Sequence, residues 1–225
     1  MTERVTVIGG TGDLGFGLAA RWARAGIECL VGSRDSVRAR EAAERVRELV
    51  PTASVEGLDN ASAASAAPVV VVAVPFAGQA AIYKSIAPAL DDESVVVDCT
   101  VPLASAVGGR PTHVLGVWQG SAAQQGASLL ERGTLCAAFH SLSAAVLSDL
   151  DATLAGDVLA CGPARAKEAV AKLTEALPGL RFVDAGPLAA AALVEPITAL
   201  LIGLNRRYKV HGAGLHITGL PETAG

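Results

Sequence analysis

Residues 4–15 read RVTVIGGTGDLG, and the fold turns on how that stretch is understood. Arg4-Val5-Thr6-Val7-Ile8 is dominated by β-branched residues, which suit a pleated, packed surface, so it predicts a short buried strand. Directly after it, Gly10, Gly12 and Gly15 satisfy G-x-G-x-x-G. Leu14, Leu18, Trp22 and Ala25 then recur at spacings of three or four, and Gly26 follows. That spacing predicts a helix over residues 14–25 with a glycine at its end. A second strand at residues 28–32 closes a βαβ unit of about 30 residues. In this order of elements the loop N–H groups, those around Gly10 and Gly12 among them, and the positive end of the helix dipole suit a pyrophosphate.

The end of the second strand tells one dinucleotide from another. An NAD enzyme commonly places Asp or Glu there for the ribose hydroxyls, whereas this chain has Ser33 and Arg34, with Arg38 one helical turn further on. A hydroxyl and guanidinium groups are donors suited to a dianionic 2′-phosphate, so the expected dinucleotide is NADP. The competing reading makes Arg34, Arg38 and Arg40 a solvated helix face. Asp35 is read as a helix N-cap that turns its charge away from the phosphate.

The rest of the chain continues the alternation. Helices are predicted at residues 36–49, 60–67, 78–90 and 121–130, and strands at 53–57, 69–74, 95–99 and 134–139. The run PVVVVAVPF contains a strand apolar on both faces, as in the middle of a parallel sheet, and Pro75 stops it. Ligands of open parallel sheets lie beyond the carboxyl ends of the strands, which puts Val74, Pro75 and Phe76 at the cofactor or makes them a plain strand terminator. His140 stands at such an end too and reads equally as a structural or a chemical group. From residue 151 a smaller unit is expected: strands at 158–161 and 180–184 around a helix at 163–177, then a long apolar helix over residues 187–208. The fold class is therefore α/β, a doubly wound parallel sheet of Rossmann type with a small C-terminal α+β unit and a long apolar helix. Residues 1–150 are expected to hold the dinucleotide and residues 151–225 the substrate. Arg206 and Arg207, with Lys209 and His211, read either as an anion-binding rim for that substrate or as cations favoured by a helix C-terminus.

Composition bounds the function. The 225 residues are 51% hydrophobic, 18% charged and 4% aromatic, which suits a sheet covered on both faces with a Val, Leu and Ala core, and hints at self-association as a homodimer or larger homo-oligomer. A net charge of -4 without a long basic run argues against nucleic acid and anionic membrane. The four cysteines show no metal-like spacing, so reduced buried thiols and no metal are expected. Met1-Thr2-Glu3 leads straight into the first strand, which predicts no leader and a cytoplasmic location. Glu195 and Pro196 interrupt the one span-like stretch, so a buried or dimer-forming helix is expected there and no membrane crossing.

Taken in order, GGTGDLGFGLA, VGSRD, the valine strand ending in VPF, CAAFHSLSAA and LRFVDAGPLAAAALVEPITALLIGLN resemble the NADPH-dependent coenzyme F420 reductases, or 8-hydroxy-5-deazaflavin:NADPH oxidoreductases, over nearly the whole chain. The resemblance implies NADP contacts at Thr11, Gly12, Asp13, Leu14, Ser33, Arg34, Arg38, Phe76, Ala80 and Ala144, and places Leu215 against the deazaflavin. It also implies hydride transfer between NADPH and the deazaflavin coenzyme as a small-molecule co-substrate, a reaction that asks little of acid–base side chains. His140 is then a candidate for steadying charge or delivering a proton at the deazaflavin ring. The chain departs from the family pattern at Ser143, where a proline is common, and in the tail GAGLHITG. Two rivals share the N-terminal signals: an NADPH-dependent imine or ketoacid reductase, and a non-catalytic NADPH-sensing module.

Overall fold

The computed structural model describes residues 4–220; Met1–Glu3, on which the reading of the N-terminus rested, lie outside the described residues. Six parallel strands form one sheet: β1 (Arg4–Ile8), β2 (Glu28–Ser33), β3 (Val55–Asp59), β4 (Val69–Val72), β5 (Val95–Asp98) and β6 (Thr134–Ala137). Their order is β3-β2-β1-β4-β5-β6. It reverses direction between β1 and β4, and open α/β sheets bind their ligands in the crevice at such a point.

The register Val5↔Val69, Val7↔Val71 and Val69↔Val95, Val71↔Val97 stacks valines across the central strands. Alternate residues feed two cores. On one face Val5, Val7, Cys29, Val31, Val71 and Val97 are covered by α1 (Asp13–Arg24), α2 (Ser36–Leu49) and α7 (Ala164–Glu175), with α6 (Ala144–Ser148) packed on α1. On the other, Ile8, Val70, Val72 and Val96 meet α3 (Asn60–Ser65), α4 (Phe76–Ile86), α5 (Ala122–Ala127) and α8 (Ala191–Val194). Each fully buried valine contributes about 1.5 to 3 kcal/mol relative to exposure, so the four valines of β4 alone explain why that strand is central.

Element boundaries differ from the sequence reading in instructive places. The third strand starts two residues later than expected, and within it Gly57 lets the backbone of Ala39 on α2 pass close by. The fourth helix starts at Phe76, with Pro75 as its extended N-cap, rather than at residue 78. The apolar C-terminal run is helical but interrupted: a 3-10 turn at Leu188–Ala190, then α8, a break at Glu195 and Pro196, and α9 (Ile197–Tyr208). It is long and apolar enough to pass for a membrane span, yet Glu195 at its middle is buried in protein.

Residues 151–220 extend the same body. Strands β7 (Gly156–Ala160) and β8 (Leu180–Asp184) pair in parallel, and a two-way antiparallel bridge, Ala137 to Cys161, ties them to the edge of the main sheet. Helix α7 covers β5 and β6 on the first face, so Ala166, Val170 and Leu173 share a core with Trp22 and Val97.

Candidate functional site

The glycine loop is built by close backbone approaches. Gly9 adopts φ 82°, a conformation L side chains rarely adopt, and a Cβ there would run into the Ala73 carbonyl. A Cβ on Gly15 would come within 2.5 Å of the Gly9 carbonyl, which in turn accepts the Gly12 N–H at 2.9 Å. Gly9 was not among the residues picked out by the motif; the tandem Gly9-Gly10 is the signal that could have found it. The extended residue Gly12 begins α1, and no side chain caps that helix. Its first N–H groups thus open outward with Thr11 half-buried and Gly12 and Asp13 exposed, the arrangement that suits an anion.

At the end of β2, Asp35 turns inward: its Oδ1 accepts the N–H groups of Val37 at 2.8 Å and Arg38 at 3.4 Å and so caps α2. Ser33 Oγ accepts the Asp35 N–H at 3.3 Å. The guanidinium groups of Arg34 and Arg38 are exposed and engage no carboxylate among the described residues. A carboxylate that belongs to a helix cap leaves two unneutralised cations beside one hydroxyl, a donor set for a phosphate.

A cavity of about 350 Å³ opens beyond the carboxyl ends of β4, β5 and β6. Leu14, Val74, Pro75, His140 and Ala144 line it on the side of the sheet, with Cys99, Val101 and Leu103 below. The other wall is α9, through Thr198, Leu201, Ile202 and Asn205. Phe76 and Ala80 lie next to this cavity on the first turns of α4, half-buried, but do not line it. Arg206 and Arg207 are exposed on the last turn of α9 and are not brought into the cavity, nor is Leu215. Leu215 lines a neighbouring hollow of about 340 Å³, and its carbonyl accepts the Asp157 N–H at 2.7 Å, holding the tail alongside β7. The sequence reading missed α9 as a wall; Thr198 Oγ donates to the His140 carbonyl at 2.8 Å and fastens the two sides together.

His140 is 4% exposed, and neither ring nitrogen has a hydrogen-bond partner among the described residues. Burial lowers its pKa to about 4, so the imidazole of the free protein is neutral near pH 7. It offers one donor and one acceptor to whatever fills the cavity and no cationic charge, which narrows the sequence-based idea that it steadies charge. The residue before it, Phe139, has φ 61°, a strained conformation for a non-glycine residue, held by edge-on packing against Trp22 with ring centroids 5.5 Å apart. Cys99 also reaches the cavity, but burial pushes its thiol far above the ordinary range, which leaves no thiolate nucleophile.

Comparison with known proteins fits this geometry. Residues 4–102 match the family described as NADP oxidoreductase coenzyme F420-dependent. Over 227 aligned residues the chain is 43% identical to the F420-dependent NADP reductase of Methanothermobacter thermautotrophicus, spanning 99% of this chain and 97% of that one. The chain belongs to the F420-dependent NADP reductase family. Within the solved structures, a crystal structure described as a candidate F420-dependent NADP-reductase from Arthrobacter sp. FB24 superposes with a TM-score of 0.81 at 22% identity, over 97% of this chain and 100% of that one. A reductive aminase from Aspergillus terreus reaches a TM-score of 0.60 at 17% identity, and there 93% of this chain covers 63% of the other. At those identities the likeness is one of fold. Family membership rests on the full-length relative, and it sets this family apart from the longer aminase.

Proposed function

We propose that the protein transfers a hydride between NADPH and the deazaflavin coenzyme F420, with the dinucleotide held on the Gly10–Gly12 side and the deazaflavin in the cavity against α9. The observation that carries this reading is the meeting of an uncapped helix N-terminus with an apolar cavity at the reversal of strand order. The residues fit NADP: a glycine loop in which a Cβ at Gly9 or Gly15 would run into backbone, unneutralised Arg34 and Arg38, and an orphaned His140 beside the apolar wall. The reacting rings supply the hydride chemistry when bound.

The chain's own residues then have positional work. N–H groups of Thr11, Asp13 and Leu14 face the pyrophosphate, with Gly12 held in the loop by its own bond to the Gly9 carbonyl, and Ser33, Arg34 and Arg38 grip the 2′-phosphate. Val74, Pro75 and Ala144 bound the nicotinamide side, with Phe76 and Ala80 beside them on α4, and Leu201 and Ile202 of α9 exclude water from the other. His140 gives a neutral hydrogen bond to a ring in the cavity. Arg206, Arg207 and Leu215 contribute only to whatever extends past the cavity mouth. Residues 1–150 act as the dinucleotide half and 151–225 as the substrate half of a cytoplasmic protein, and the exposed apolar residues Leu193 and Leu200 suit self-association.

Mixing the protein with NADPH and oxidised F420 tests this directly. Loss of the deazaflavin absorbance band is the expected result. NADPH binding without turnover would favour the sensing module, and turnover confined to imines or ketoacids would favour the other reductases.

A further inference from the structure

Beneath the cavity runs a chain of buried polar groups that the reaction itself does not use. Glu195, 1% exposed, sits at the break between α8 and α9, where Pro196 restarts the helix. Its two oxygens each accept a backbone N–H from the start of α5, Ala123 on Oε1 and Ala122 on Oε2, both at 2.9 Å. The Ala122 carbonyl accepts Gln79 Nε2 at 2.9 Å, and the same amide group donates to Asp98 Oδ2 at 2.7 Å. Tyr83 donates its hydroxyl to that oxygen at 2.6 Å, and the other oxygen of Asp98 takes the Thr100 N–H at 2.5 Å. Gln125 completes the set by donating to Gln79 Oε1 at 2.9 Å.

The two ends of this chain are the two walls of the cleft. Gln79 belongs to α4, between Phe76 and Ala80, and Asp98 and Thr100 flank the cavity-lining Cys99. Three residues after Glu195 stands Thr198, which lines the cavity and holds the His140 carbonyl. Two buried carboxylates in one network are costly unless every oxygen is satisfied, and a purely structural join between these helices is made at less cost by apolar side chains. Rigid, directional bonds instead hold walls at one separation.

We propose that Glu195 is a positioning residue: through the α5 N-terminus, Gln79 and Asp98 it locks the α9 wall to the α4–β5 wall and fixes the width of the cleft in which hydride moves. This rests on the proposed function. The lock depends on ionised Glu195, since a protonated carboxyl keeps only one good acceptor for two N–H groups. Facing Glu195 are Asp98 on β5, Tyr83 on α4 and Cys161 after β7, all of them acidic groups, with the Ser121 hydroxyl alongside. Burial raises its pKa to about 7, so the lock engages as pH rises through that value.

Two measurements test the proposal. The first is single-turnover hydride transfer between NADPH and F420 in wild type and E195Q across pH. Wild type is expected to slow as pH falls through the Glu195 titration. E195Q is expected to be slower by about 10- to 100-fold above it and flat, with NADPH affinity within about twofold, because misplacement acts on rate rather than on the distant phosphate grip. An E195Q rate equal to wild type, or one retaining the same inflection, overturns the proposal while leaving the function intact. A wild-type protein without turnover overturns the function and this inference with it. The second needs no variant and no ligand: amide hydrogen exchange of Ala122 and Ala123, corrected for intrinsic rates, is expected to lose about fivefold protection between about pH 8 and about pH 6 while Val70 and Val96 hold theirs. Unchanged protection at the two alanines overturns the lock.

Discussion

Trp22 on α1 donates its indole N–H to the carbonyl of Leu173 on α7 at 2.9 Å, across 151 residues of sequence and wholly inside the core. Leu173 lies in the last turn of its helix, where carbonyls lack an intrahelical partner, so the indole satisfies a group that burial would otherwise leave unpaired. This bond joins α1 to α7 in the C-terminal part of the chain. Trp22→Phe is expected to lower stability by about 1 to 3 kcal/mol, the cost of an unsatisfied buried acceptor. Denaturant unfolding followed by circular dichroism and fluorescence is expected to give one shared transition; two separated transitions would make residues 151–225 an independent cooperative unit.

Arg34 is exposed beside Ser33, without a carboxylate partner among the described residues. Arg34→Ala is expected to weaken NADP binding by about 1.5 to 3 kcal/mol, the scale of a charge-assisted hydrogen bond, with NAD nearly unaffected. Titration calorimetry with both dinucleotides decides the matter, and equal losses would remove the phosphate assignment.

Gly15 packs against the loop it follows. Gly15→Ala puts a methyl group 2.5 Å from the Gly9 carbonyl, where backbone has to move on both sides. The variant is expected to lose about 2 kcal/mol or more of stability, in the range of core overpacking, and to bind NADP more weakly as the loop shifts. Gly78→Ala, with open space around it, is the control.

His140 is held at about 4 from an ordinary 6.5, so the unfolded chain takes up a proton first as pH falls. Its contribution is present above about pH 6.5 and is lost as pH drops through the folded value. Relative to His140→Gln, wild type is expected to lose about 2 kcal/mol between about pH 7 and about pH 5, read from urea midpoints.

Glu195 has the opposite sign. Its pKa rises from 4.5 to about 7, so the folded chain holds the proton longer and stability falls as pH climbs through that window. Against E195Q, wild type is expected to lose on the order of 2 kcal/mol between about pH 5 and about pH 8. Stability and positioning therefore pull in different directions at this residue.

Local order was written plainly in the chain. β-branched strands, helices with a period near 3.6, the glycine triplet and the Ser33-Arg34 corner each depend on neighbours within a few residues, so periodicity and turn chemistry determined the alternation of strands and helices, the glycine loop and the doubly wound class. Asp35 as N-cap is of the same kind, since its partners are two and three residues away. Tertiary structure alone decided the rest. Glu195 meets α5 across 73 residues, Thr198 meets the His140 carbonyl across 58, and Leu215 settles beside Asp157 instead of inside the cavity. Such pairings carry no periodic signal: they arise when packed layers bring distant segments together, and only then do burial and partner choice set a charge, close a cap or form a wall.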